Sequence, residues 1–333
     1  LVSEFEKVLA ILEKERMVGP FEHAAVDLIP FVNDNSIGLV SDTFRSSKSF
    51  WVRYGILKAY EMMDHASSTS YETLSQHCKE VILEDLLIGI ADKDERIRIP
   101  SSDIFSNGEE LMKGVNPALG ERIVKELIAN SKRVREGNAT ETLGVVDYSG
   151  ISQETKKQAL DFLVKAAIEG SSDAARGIDR IGDKDSKDKV EAYWLPKLDS
   201  RNKKEVEKAV DMFEFIESPA AADKVVQLMK RGFEYYKLID VIVKSGDERH
   251  EDSIIKLMDG DYCIANMEIL GKKGWKKSLE ILKGIAKSTK DYDERDREAA
   301  QKAIKEIEGR MTVSSKPAEE KLRKAMEKKK VPA

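Results

Sequence analysis

One phrase returns along this chain of 333 residues: an apolar segment with helical spacing, a short turn carrying Asp or Asn, then Val-Arg or Ile-Arg opening the next apolar segment. It reads LIPFVNDN followed by FWVRYGILKAYEMM, with Asp34, Val52 and Arg53. It returns as LLIGIADKDERIRI, with Asp92, Asp94, Ile97 and Arg98, then as VKELIANSKRVREGN, with Val134 and Arg135. A last copy, LEILKGIAKSTKDYDERDREAAQKAIKEIEG, places Arg297 at the matching point. Between these copies, segments end on RIGD, FIESP, VKSGD and LGKKGW, about 28 to 36 residues apart. A unit that can bury its apolar face only against its neighbour must stack, so the recurrence predicts an all-α array of antiparallel helix pairs.

About eight pairs can be drawn. First helices are expected over 21–33, 70–91, 118–130, 153–169, 186–198, 219–230, 249–259 and 275–288. Second helices are expected over 49–64, 95–107, 133–146, 173–182, 203–217, 232–245, 261–272 and 293–309. Ser218 before Pro219 reads as an N-cap with Pro at the first helical position. Thr69 with Glu72, and Asn202 with Glu205, have capping-box spacing. Two places fit badly: Asn33 to Lys48 is a long Ser-rich stretch expected to be a turn, and Pro100 should kink its helix or delay its start. The array is therefore expected over 1–310, irregular over 1–150 and more regular over 151–310. Residues 311–333 are expected to form a basic tail, either disordered or a short helix after Pro317.

Composition agrees. Charged residues make up 35% and aromatics 7%, against 41% hydrophobic, which suits a thin continuous core with much surface. Net charge is −5; the tail holds seven Lys or Arg against three Glu, leaving it at about +4 and the rest at about −9. Net acidity weighs against nucleic acid as the partner, because phosphate binding needs a concentrated basic stripe. Cys78 and Cys263 cannot build a disulfide framework, and four His are too scattered for a zinc site, so neither metal nor cofactor is expected. No apolar run reaches membrane-spanning length, and a cytoplasmic protein is expected.

The repeated turn and the Val-Arg opening resemble HEAT repeats, whose outer and inner helices join through an Asp-containing turn. Glu207, Tyr236 and Ile264 stand where that pattern has Arg. The resemblance implies an α-solenoid (an α-α superhelix, armadillo-like) of about eight HEAT-like pairs that presents a curved surface to another macromolecule. Because they recur in register, Asp34, Asp92, Asp94, Arg98, Arg135 and Arg297 are read as a structural ladder. A catalytic site would be needed once, and no nucleophile, phosphate-loop or dinucleotide motif is present.

Contact residues are then sought among aromatics and cations, each of which has packing as its competing explanation. Trp51, Arg53 and Tyr54 open one second helix; Trp and Arg dominate binding hot spots. Tyr235 and Tyr236 form a consecutive pair, and Trp275 lies among Lys272, Lys273, Lys276 and Lys277. The leading expectation is a non-enzymatic protein-protein scaffold or adaptor. One alternative is a nucleic-acid-binding protein resembling the HEAT-like alkylpurine DNA glycosylases; a minor one resembles HEAT-like bilin lyases or chaperones.

Overall fold

The computed structural model describes residues 2–14, 18–63, 70–134, 137–233, 237–258 and 263–328. Every regular element among these residues is helical, so the chain is all-α. It divides into two compact units, Leu1–Val190 and Glu191–Ala333.

The first unit contains α1 (Val2–Lys14), α2 (Val18–Val26), α3 (Ile37–Ser46), α4 (Phe50–Met63), α5 (Gln76–Ile90), α6 (Glu95–Asn107), α7 (Glu109–Met112), α8 (Pro117–Asn130), α9 (Asn138–Val145), α10 (Gln153–Glu169) and α11 (Ser172–Ile181). Helix α12 (Lys184–Trp194) carries the boundary between the units. In the first unit α3, α5, α8 and α10 pack in succession as one layer, and α4, α6, α9 and α11 as a second. Each first-layer helix also packs on the second-layer helix that follows it, while α1 and α2 cover the start of α4.

The second unit holds α13 (Lys203–Phe213), α14 (Pro219–Lys230), α15 (Leu238–Ser245), α16 (Glu251–Met258), α17 (Ile264–Lys273), α18 (Lys276–Lys287) and α19 (Glu294–Lys328). It repeats the alternation. Helix α14 meets the 3-10 turn Glu248–His250 that leads into α16, which packs on α18, and α13, α15, α17 and α19 pack in the other series. Helix α19 runs continuously through Pro317 to Lys328, so the first eighteen residues of the expected tail share its helix.

Local chemistry accounts for most boundaries. Ser218 accepts from Ala221 N–H at the start of α14 with Pro219 behind it, and Asn202 accepts from Lys204 N–H at the start of α13. Glu205, however, accepts from Ser200 Oγ rather than closing a capping box on Asn202. The N-cap of α5 is Ser75, and Tyr71–Thr73 before it is a 3-10 turn; Thr69 lies outside the described residues. RIGD ends α11 because Gly182 takes the left-handed conformation, φ +74°, which returns its N–H to Ile178 and Asp179.

The stretch from Asn33 to Lys48 is corrected: it holds helix α3. Its apolar face, Ile37, Val40 and Phe44, is buried at helical spacing, and Thr43 and Ser46 return their hydroxyls to carbonyls four residues back. Helix α3, not 21–33, therefore precedes α5 in the first layer. Pro100 does not delay α6, which starts at Glu95 on the Asp94 cap and continues past it to Asn107. The bond it forfeits is to the carbonyl of exposed Arg96, where solvent can substitute.

A second regularity joins the first-layer helices. From α5 onward, the starts of α5, α8, α10, α14, α16 and α18 are each held by an acidic side chain from an earlier element. Ser75 donates to Asp34, Asn116 N–H to Glu80 (3.1 Å), and Ser152 N–H to Glu121 (2.8 Å). In the second unit Ser218 Oγ donates to Glu191 (2.6 Å), His250 Nε2 bonds Asp223 (3.0 Å), and Glu251 accepts from Trp275 and Ser278 N–H at 2.6 and 2.9 Å. Glu80, Glu121 and Asp223 each lie five residues after their own N-cap. A carboxylate at a helix N-terminus satisfies orphan donors and complements the helix dipole, so the same bond suits every step. In the second unit the C-termini of α15 and α17 receive cations: Lys273 donates to Lys244 O, and Arg310 to Gly271 O and Gly274 O.

Candidate interaction surface

Helix α4 spends most of its surface on packing: Val52, Ile56, Leu57, Ala59, Tyr60 and Met63 are all buried. The remaining stripe is aromatic and half-buried. Phe50 stacks on Tyr54 with ring centroids 5.4 Å apart and meets Trp51 edge-on at 4.9 Å. Arg96 from α6 lies 4.1 Å over the Phe50 ring, and Lys58 lies 5.7 Å from the Tyr54 ring. Cations over ring faces are held by the aromatic quadrupole, about 0.5–1 kcal/mol each at exposed sites. Lys58 also pairs with Glu61 at 2.6 Å; burial works against its charge, but Glu61 holds its pKa above the ordinary lysine value.

Beside this stripe the turns joining first- to second-layer helices come together. Arg53 of α4 pairs with Asp92 at 2.6 Å, both side chains largely out of solvent. Arg98 donates to the carbonyls of Asp92 and Arg133, and Arg133 donates back to Asp92 O at 3.0 Å. Asp94 caps α6 through Arg96 N–H and pairs with the Arg96 side chain, whose hydrogen bond holds its carboxyl below the usual range. These contacts link three successive turns. Arg135 lies outside the described residues, and Arg297 bonds within its own turn, to Tyr292 O. Asp34 sits elsewhere, at the start of α5, where it accepts from Ser75 and Cys78.

Between α3, α4 and α5 lies a polar node that sequence reading missed. Asp85 of α5 has no solvent exposure, yet it accepts from Ser41 Oγ at 2.8 Å, Arg45 Nε at 2.6 Å and Tyr60 OH at 2.9 Å. Burial pushes its pKa up, opposed by those donors, and pushes the fully buried Tyr60 phenol well above its ordinary value. Tyr71 OH donates to Tyr60 O, tying the turn before α5 to α4. One hint was available: Asp85 falls in the middle of the apolar run Val81 to Ala91, where a carboxylate needs buried donors.

The other expected contact residues separate. Trp275 is half-buried; its backbone N–H is held by Glu251, and Arg310 lies 5.9 Å over its ring. Lys273 is occupied by Lys244 O and Lys277 by Asp252, while Lys272 and Lys276 are exposed. Tyr235 and Tyr236 lie outside the described residues. Thus Trp51, Arg53 and Tyr54 belong to one surface with Phe50 and Arg96, whereas the Trp275 group belongs to the joint between α16, α17 and α19.

No group of three or more His, Cys, Asp and Glu suited to a metal ion occurs among the described residues, and none of their helices is long and apolar enough to cross a membrane. No family model matches the chain, and no curated protein matches it. Among solved structures it is similar to the crystal structure of an engineered protein from the Northeast Structural Genomics Consortium. The two are 14% identical, the alignment covers 92% of this chain and 96% of that one, and the TM-score is 0.24.

Proposed function

We propose that this chain is a non-enzymatic interaction scaffold, a solenoid of HEAT-like helix pairs that binds another protein through its first unit and works in the cytoplasm. The observation that carries this reading is the Phe50–Trp51–Tyr54 stripe. It is ordered by mutual ring contacts and by Arg96, but only half-buried, on a helix whose other faces are committed to the core. Rigid aromatics beside arginines supply contact area at low entropic cost, as hot spots do. The alternation of layers in both units and the recurring carboxylate-to-cap bond support the repeat reading.

The test is affinity capture with the full chain and its Trp51→Ala variant, followed by rebinding of the captured protein in purified form. A defined protein that rebinds, with at least about tenfold weaker affinity for Trp51→Ala, is expected of an interface anchor. Specific turnover of a small molecule by a chain that rebinds no protein would overturn the reading.

A further inference from the structure

The edge beside the α4 aromatic stripe has a charge balance unlike that of the whole chain. Three turns meet there: 47–49 before α4, 91–94 before α6, and the one that leaves α8, of which 131–134 carry the contacts. Their adjacency follows from the Arg53–Asp92 pair, the Arg98 and Arg133 bonds to carbonyls across the turns, and Arg96 on Phe50. Two ion pairs cancel, Arg53 with Asp92 and Arg96 with Asp94. Arg98 and Arg133 are held by neutral groups, carbonyls and the Asn130 amide oxygen, so both keep their charge uncompensated.

Each turn also contributes one exposed lysine, Lys48, Lys93 and Lys132, and none of the three enters an ion pair or hydrogen bond among the described residues. Apart from the two paired aspartates, the described residues of 47–49, 91–95 and 131–134 hold one carboxylate, Glu95, to set against those five cations. A chain with net charge −5 therefore concentrates positive charge along one edge of its first unit, next to Phe50 and the two rings packed on it, Trp51 and Tyr54.

We propose that this edge docks an acidic peptide segment of a partner protein, its carboxylates lying along the Lys48–Lys93–Lys132 row and an apolar side chain packing on Trp51 and Tyr54. The proposal rests on the scaffold reading and names the partner's chemistry. A protein segment is favoured over single-stranded nucleic acid because the rings contact one another and Arg96 already covers Phe50, whereas base stacking needs open ring faces. The charge of the remaining chain would also repel a long polyanion. The lysines stand on turns of neighbouring packed helices, whose axes lie about 8–10 Å apart, so an extended acidic chain crossing those helices can engage them in turn, and such contacts weaken as salt screens them.

The probe is a fluorescein-labelled Glu-Glu-Leu repeat peptide, titrated with the full chain by anisotropy at low and physiological salt, beside labelled oligothymidine of equal charge. Expected is saturable peptide binding that weakens with salt and falls at least about tenfold in K48E/K93E/K132E, with unchanged circular dichroism and thermal midpoint. If that variant fails to fold, K48A/K93A/K132A replaces it, with a smaller loss in the same direction. No peptide binding at low salt, equal binding by the folded variant, or tighter binding of oligothymidine than of peptide overturns the proposal. A chain that rebinds a defined protein through Trp51 yet ignores the peptide refutes this proposal and leaves the scaffold reading standing.

Discussion

Replacing Asp85 probes how the first unit is held together. The carboxylate accepts three donors, and two of them, the Ser41 and Tyr60 hydroxyls, are buried with it. Asp85→Ala leaves both hydroxyls without their acceptor, at about 1–3 kcal/mol for each buried orphan. Arg45 is roughly one-third exposed and keeps Glu84 at 3.3 Å, so its loss is partly covered by solvent. Removing a charge that was costly to bury returns some free energy. The balance is a destabilisation of about 3–5 kcal/mol, in the range found when one member of a buried ionic network is removed.

Asp85→Asn keeps the volume and one acceptor oxygen, so it should cost about 1–2 kcal/mol, the worth of weakened charge-assisted bonds. The combination Ser41→Ala, Tyr60→Phe and Asp85→Leu removes donors and acceptor together. It should be less damaging than Asp85→Ala alone. Urea unfolding in a Trp194→Phe, Trp275→Phe background, read by Trp51 fluorescence, isolates the first unit. An Asp85→Ala midpoint within error of the parent, or an Asp85→Asn variant less stable than Asp85→Ala, would refute the reasoning.

Three further outcomes are expected. Helices α9 and α11 touch through Gly144 and Gly177, where a Cβ on Gly144 would stand 2.7 Å from the Gly177 backbone; Gly144→Ala should cost about 1–3 kcal/mol by forcing the helices apart, and thermal unfolding unchanged from the parent would refute the close approach. Asp34, Glu80 and Glu121 sit below their ordinary pKa values: Asp34 through Ser75 and Cys78, Glu121 through Ser152, and Glu80 because Asn116 and Gln76 outweigh a slight burial. A depressed carboxyl stabilises the fold above its unfolded pKa and ceases to as pH falls through its folded pKa, so stability should decline on acidification below about pH 4.5, and E80Q/E121Q should flatten that decline in a pH series of melts. Cys78 is buried with its thiol pushed up to about 11, by burial and by donation to Asp34, while Cys263 is exposed; a maleimide at neutral pH should label Cys263 and spare Cys78 until urea unfolds the chain, and equal labelling rates would contradict the placement.

Much of the helical content was legible because it is written at short range. Helix α10 starts and ends where its Ser152 cap and Gly170 place it, and α14 occupies the range that Ser218, Pro219 and its apolar spacing predict. Helix α3 was missed for a local reason. Its two serines and one threonine lower helix propensity, and the stripe of Ile37, Val40 and Phe44 is too short to outweigh them until it meets α4 and α5. Short α7, four residues long, has no periodicity to read.

The candidate surface was legible only in its members. Trp51, Arg53 and Tyr54 stand out by residue type, but Arg96 on Phe50, and the meeting of Lys48, Lys93 and Lys132 along one edge, depend on how α4, α6 and α9 are laid side by side. The Asp and Arg residues of the recurring phrase divide in the same way: Asp92 reaches Arg53 of the preceding pair, while Asp34, matched to it by pattern, serves the start of α5 instead. By itself, then, the sequence determined most of the helices and several of their caps, since spacing, propensity and hydrogen bonding within a few residues act before any neighbour is present. Which helices lie together, which carboxylate is buried, and which cations stay uncompensated were decided by tertiary packing, because those properties belong to pairs of groups some 24 to 44 residues apart.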